Sequence, residues 1–147
     1  MRRLALIIIL ASLPTFASPI SQVKLDKLAV YWSHVLRLDD WTVYVDQVSL
    51  DQLPEGTSGA SHPVPELKIF QILVLRPEDY GKLAKADGTL PLSPKAINRD
   101  IEDTVVHELI HLRLRDLMVA DDAHLKSTEE LTVVRLTGAL MKLKKGK

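Results

Sequence analysis

The chain has 147 residues, with 19 basic and 19 acidic side chains and no cysteine. That length suits one domain rather than two. The balanced charge offers no broad basic field for nucleic acid. The lack of thiols excludes a disulfide scaffold, a thiolate metal site, a catalytic thiol and a lipidated-cysteine anchor.

Residues 1–17 read as a secretory signal peptide. Arg2 and Arg3 make a basic start, residues 4–13 are almost wholly apolar, and a short polar stretch puts cleavage after Ala17. The apolar run is shorter than the roughly 20 residues that span a bilayer, and no later segment is apolar enough to span. This predicts an exported protein, secreted or periplasmic, with a single domain over residues 18–147 and no stable membrane insertion after cleavage. Loss of Arg2 and Arg3 leaves the mature chain at a net charge of about −2, which further opposes a nucleic-acid partner.

Ser18 and Pro19 read as a helix start. Ile20, Val23, Leu28, Tyr31, Trp32 and Val35 then recur at helical spacing as far as Leu36. Asp39 and Asp40 break that pattern. Over residues 41–48, Trp41, Val43 and Val45 alternate with polar neighbours, as in a half-buried strand. Residues 53–65 hold three prolines and two glycines and are predicted to be a long loop, of the kind that often flanks a site. Residues 66–75 form the strongest predicted strand, apolar on both faces and so expected to be sandwiched in its second half. Pro77 opens a helical turn as far as Ala86, and Asp87 and Gly88 end it. Pro91 and Pro94 predict an irregular stretch.

Asp100 is the expected cap of the next helix, with Glu102 and Asp103 in its first turn. Ile101, Val105, Val106, Leu109, Ile110, Leu112, Leu114, Leu117 and Met118 surround this helix, so it should be central and buried. Asp121 and Asp122 break it. Ser127 or Thr128 is the expected cap of a last helix over residues 129–144, with an apolar face through Val133, Val134, Leu136, Leu140 and Met141. Lys142, Lys144, Lys145 and Lys147 suit the negative end of its dipole. These elements predict an α+β fold: a small sheet packed on the buried helix, with helices at both ends of the chain.

The central helix carries His107-Glu108-Leu109-Ile110-His111. Histidines four residues apart share one helix face, and both imidazoles can reach one metal ion. Glu108 lies about 100° further round the helix, beside a metal-bound water rather than on the metal, as a general base requires. A catalytic zinc site usually has three protein ligands and one water. The third should come from a nearby helix, and the candidates are His124, Glu129 and Glu130. Geometry read from the sequence does not choose between the two glutamates. A structural zinc would want a fourth protein ligand, for which Glu129, His124 or His62 would have to serve.

On these residues the chain resembles the gluzincin zinc metallopeptidases, in particular their small single-domain members, the minigluzincins. Leu114 and Leu117 stand where the metzincin pattern needs glycine and histidine, so that family does not fit. The resemblance spans residues 36–144 and is carried by His107, Glu108, His111 and Glu130. It implies Glu130 as the third zinc ligand, Glu108 as catalytic base and an exported metallopeptidase hydrolysing bonds in peptide or protein substrates. The alternative is a latent or non-catalytic module with a structural zinc. One departure stands out: thermolysin-like gluzincins carry an acidic residue four positions after the ligand glutamate, and here that position is Val134. The partner that orients His107 must then come from elsewhere. Tyr80, His62 and Arg135 are candidate oxyanion stabilisers. A cleft of this type binds extended peptide by adding it to a sheet edge, and residues 66–75 are the expected edge.

Overall fold

A computed structural model describes residues 20–115 and 123–146, and for residues 123–126 the backbone alone. The predicted signal peptide, Leu117, Met118 and the break at Asp121 and Asp122 lie outside the described residues, as does the side chain of His124. The architecture is α+β. Helix α1 (Gln22–Val35) leads to strand β1 (Thr42–Val48), followed by β2 (Gly59–Val64), β3 (Ile69–Leu75), the short helix α2 (Tyr80–Ala86), α3 (Pro94–Leu114) and α4 (Ala123–Lys145). No helix among the described residues is long and apolar enough to cross a membrane.

The strands form one sheet in the order β1–β3–β2. β1 runs parallel to β3, with Val45 opposite Ile72. β2 runs antiparallel to β3, with Ser61 opposite the same Ile72. Residues directly opposite share a face, so Val45, Phe70, Ile72 and Val74 present one apolar face. All four are buried in the same cluster as Trp32 of α1 and Ile101, Val105, Leu109 and Ile110 of α3. Burial of each such side chain contributes about 1.5–3 kcal/mol. On the opposite face Ile69, Gln71 and Leu73 are only half-buried and Tyr44 is exposed. Leu75, on that same face, is fully buried like Val74, so the expected sandwiching of the second half of residues 66–75 holds at its end only.

Several boundaries differ from those expected. Residues 53–65 are not wholly a loop, because β2 lies within them. Gly, Ser, His and Pro hide its alternation, but an edge strand tolerates Pro63. Extended structure begins at Ile69 rather than residue 66. Pro65–Leu67 form a 3-10 turn, and Lys68 takes a left-handed backbone at φ 52°. This makes β3 the central strand, with neighbours on both sides. The edge next to α3 is β2, so residues 66–75 are not the edge strand they were expected to be.

The central helix starts at Pro94, not at Asp100. Ser93 is its cap and accepts a hydrogen bond from the Ala96 amide at 3.3 Å. Proline fits the first helical position, where its missing N–H costs nothing. Asp100 instead accepts from the Tyr80 hydroxyl at 2.8 Å. At the N-terminus α1 begins after Ser21 rather than at Ser18. The last helix begins at Ala123, so Ser127 and Thr128 lie inside it rather than capping it. On α4, Val133, Thr137 and Met141 are buried, while Val134 and Leu136 are exposed. Lys144 does more than meet the helix dipole. It pairs with Glu102 of α3 and lies over the rings of Tyr31 and Trp32. Trp32 Nε1 donates to the same Glu102 carboxylate at 2.8 Å, which ties α1, α3 and α4 at one point.

Candidate metal centre

The i, i+4 spacing on α3 puts His107 and His111 on the face turned toward α4. Their Nε2 atoms lie 3.1 Å apart. Glu130 of α4 reaches both, with Oε1 3.3 Å from His107 Nε2 and Oε2 3.1 Å from His111 Nε2. One ligand atom from each residue falls within a group spanning at most 4.8 Å. Two ligands about 2.05 Å from a tetrahedral zinc stand about 3.3 Å apart, so these separations fit a metal held between the three. Two imidazoles and a carboxylate are a donor set that suits zinc.

Glu129 plays a different part from Glu130. Its Oε1 accepts from His111 Nδ1 at 2.9 Å. A carboxylate can only accept, so the Nδ1 carries the proton and Nε2 keeps its lone pair for a metal. The geometry separates the two glutamates: Glu130 falls in the group that could hold a metal ion, and Glu129 contacts the far ring nitrogen of His111. The oriented histidine is His111, whereas the sequence directed attention to His107.

Glu108 lines the same cleft as the three donors. Its Oε2 accepts a hydrogen bond from the Ser61 hydroxyl at 2.5 Å. Ser61 reaches it because β2 lies against α3. A Cβ on Gly59 would come within 2.2 Å of Thr104 Cγ2, so glycine permits the approach. The Ser58 hydroxyl also lies 3.4 Å from the Thr104 hydroxyl. The sequence reading assigns Ser61 no role, because residues 53–65 read as loop; the small polar alternation of Gly59 and Ser61 is the available signal.

The cleft encloses about 660 Å³ and is walled by Thr57, Ser58 and Gly59 on one side and by α3 and α4 on the other. None of the three expected oxyanion stabilisers lines it. Tyr80 is buried and bonded to Asp100, with burial holding its hydroxyl pKa well above the usual range. His62 is exposed, and alternation turns it away from the α3 face that Ser61 occupies. Arg135 is exposed on α4. Further along the cleft is Asp103, whose carboxyl is pushed above its ordinary pKa by burial, with Arg99 opposing the shift.

Comparison with protein-family models, curated proteins and solved structures finds no match to this chain.

Proposed function

We propose that the chain is an exported zinc metallopeptidase of the minigluzincin type, acting on peptide or protein substrates. The observation that carries this reading is the convergence of His107 Nε2, His111 Nε2 and a Glu130 carboxylate on one point of a cleft that Glu108 also lines. Zinc held there supplies a Lewis acid that polarises a scissile carbonyl and acidifies a water. Glu108 is the proton carrier: it takes a proton from the attacking water and delivers it to the leaving amine. Glu129 keeps the His111 ring in the ligating tautomer. The outer edge of β2 has no strand partner among the described residues, and a substrate in extended form adds there by backbone hydrogen bonds.

A structural zinc would want four protein ligands. Among the described side chains, Glu129 is committed to the far nitrogen of His111 and His62 faces away, so neither supplies a fourth ligand. The test is metal analysis together with peptide-cleavage assays on the mature chain and on Glu108→Gln. One zinc per chain with cleavage by the wild type alone supports the reading. A zinc-loaded wild type that leaves broad peptide libraries intact, even after limited proteolysis to release a latent form, rejects it.

A further inference from the structure

We propose that the groove between α3 and α4 is a specificity pocket for a lysine or arginine side chain of the substrate, with Asp103 as its counter-charge. The proposal rests on the peptidase reading and names the substrate class of that same site. From His107, Asp103 lies one turn and Arg99 two turns toward the start of α3. From Glu130, Val134 lies one turn on, Thr137 and Gly138 two, and Met141 three. All six line the cleft. At about 1.5 Å per residue, eight residues of helix give the groove a length of about 12 Å.

Three features show a groove shaped for an occupant. Gly138 sits in a helix interior, where glycine is destabilising, yet a Cβ there would meet nothing within 4 Å. Packing does not demand glycine at that position; its effect is to keep the groove open. Thr137 is 8% exposed, and its Oγ1 has no hydrogen-bond partner among the described residues. Buried hydroxyls are nearly always bonded, so this one leaves an unmet polar atom in the groove wall. Asp103 has only a loose partner: Arg99 Nε stands 3.7 Å from Oδ2, beyond the 2.7–2.9 Å or so of a close charged hydrogen bond. Its carboxylate, 36% exposed, feels Arg99 and more weakly Lys145, with no close ion pair among the described residues. An aliphatic stem fits along Val134 and Met141, and an ammonium or guanidinium at its tip reaches the carboxylate.

The test uses zinc-loaded Glu108→Gln protein, which binds without turnover, and blocked peptides of one sequence. Lysine, norleucine or glutamate is placed in turn at each position flanking the scissile bond, and binding is read by fluorescence anisotropy. At one position lysine should bind at least about tenfold tighter than norleucine, with glutamate weakest. Adding Asp103→Asn should bring the lysine-to-norleucine ratio within about threefold. Adding Gly138→Leu, which fills the groove, should weaken both peptides relative to one with alanine there. Circular dichroism checks that each variant folds, and the two variants perturb different walls. Equal binding of lysine and norleucine everywhere, a ratio unchanged in Asp103→Asn, or a preference for glutamate through Arg99 overturns the pocket. Wild-type cleavage of the same peptides separates the two ideas. Lysine-selective binding without cleavage keeps the pocket and overturns the peptidase. Cleavage without a basic preference does the reverse, and no binding of any peptide overturns both.

Discussion

Two knots of charged groups in this molecule are built in opposite ways. At the start of α2, Asp79 is 2% exposed in its side chain and is surrounded by donors. Lys82 Nζ lies 2.7 Å from Oδ1, Arg76 Nε 2.8 Å and the Leu50 amide 3.2 Å from Oδ2. Every contact matches a donor to an acceptor, which holds the carboxyl at about 2, below its ordinary 3.8, with Lys82 the largest cause. Between α3 and α4, two imidazoles and a carboxylate that could hold a metal ion face one another and open on a cleft. The first knot is saturated by its own chain and does structural work. The second opens on a cleft and, under the proposed function, takes a metal ion that the chain does not itself supply.

The largest expected effects lie in the second knot. Glu108→Gln should keep zinc near one per chain and lower hydrolysis about 10²–10⁴-fold, since a general base contributes on that scale. Glu130→Ala should lose metal and activity together. Zinc content by atomic absorption beside a cleavage assay distinguishes the two, and equal zinc loss in both variants would contradict the assigned roles.

Metal removal should act on stability as well. Because the site links α3 to α4, zinc at about a thousand times its dissociation constant stabilises the fold by about 4 kcal/mol. A chelator should therefore lower the melting temperature of the wild type clearly and that of His111→Ala far less. Glu129→Ala sharpens the point at the next scale. An orienting carboxylate typically controls metal affinity about 10–100-fold, so competition titration should find weaker zinc binding with the ligand set intact. Unchanged affinity would deny Glu129 its role.

The saturated knot should respond only in stability. Asp79→Asn should cost about 1–3 kcal/mol by leaving partners unmatched and should leave kcat per folded molecule unchanged. Its folded pKa lies below its unfolded one, so its stabilisation is complete above about pH 4 and is lost as pH falls toward about 2. Acid denaturation of Asp79→Asn should be correspondingly flatter in that window.

Much of the second knot was legible in the chain, because it depends on spacing within one helix. His107, Glu108 and His111 need only 3.6 residues per turn to fall where they do. Glu129 and Glu130 differ by about 100° around a helix, and which one meets the histidines depends on how Val133, Thr137 and Met141 seat α4. That is a tertiary fact, invisible to periodicity. The start of α3 was signalled by Ser93 and Pro94, but the neighbouring Pro91 and the acids at 100–103 pointed elsewhere. β2 was the hardest to see. Its stability comes from pairing with β3 rather than from an apolar pattern of its own, so the small polar alternation of Gly59 and Ser61 is its only local signal.

That concealed strand carries the smallest and most discriminating prediction. Ser61 is the β2 side chain that donates to the Glu108 carboxylate. If its hydroxyl fixes the Glu108 rotamer, Ser61→Ala should reduce kcat by about two- to tenfold, the net worth of one hydrogen bond, and leave KM nearly unchanged. Ser61→Thr should recover much of the loss, because it keeps the hydroxyl. Zinc content should not move in either variant, since Ser61 touches no ligand of the metal. A fall in KM-dependent binding alone would assign Ser61 to the substrate edge of β2 instead. A rise in kcat would mean that the hydroxyl restrains Glu108, and the open knot would then carry a built-in brake that the saturated one lacks.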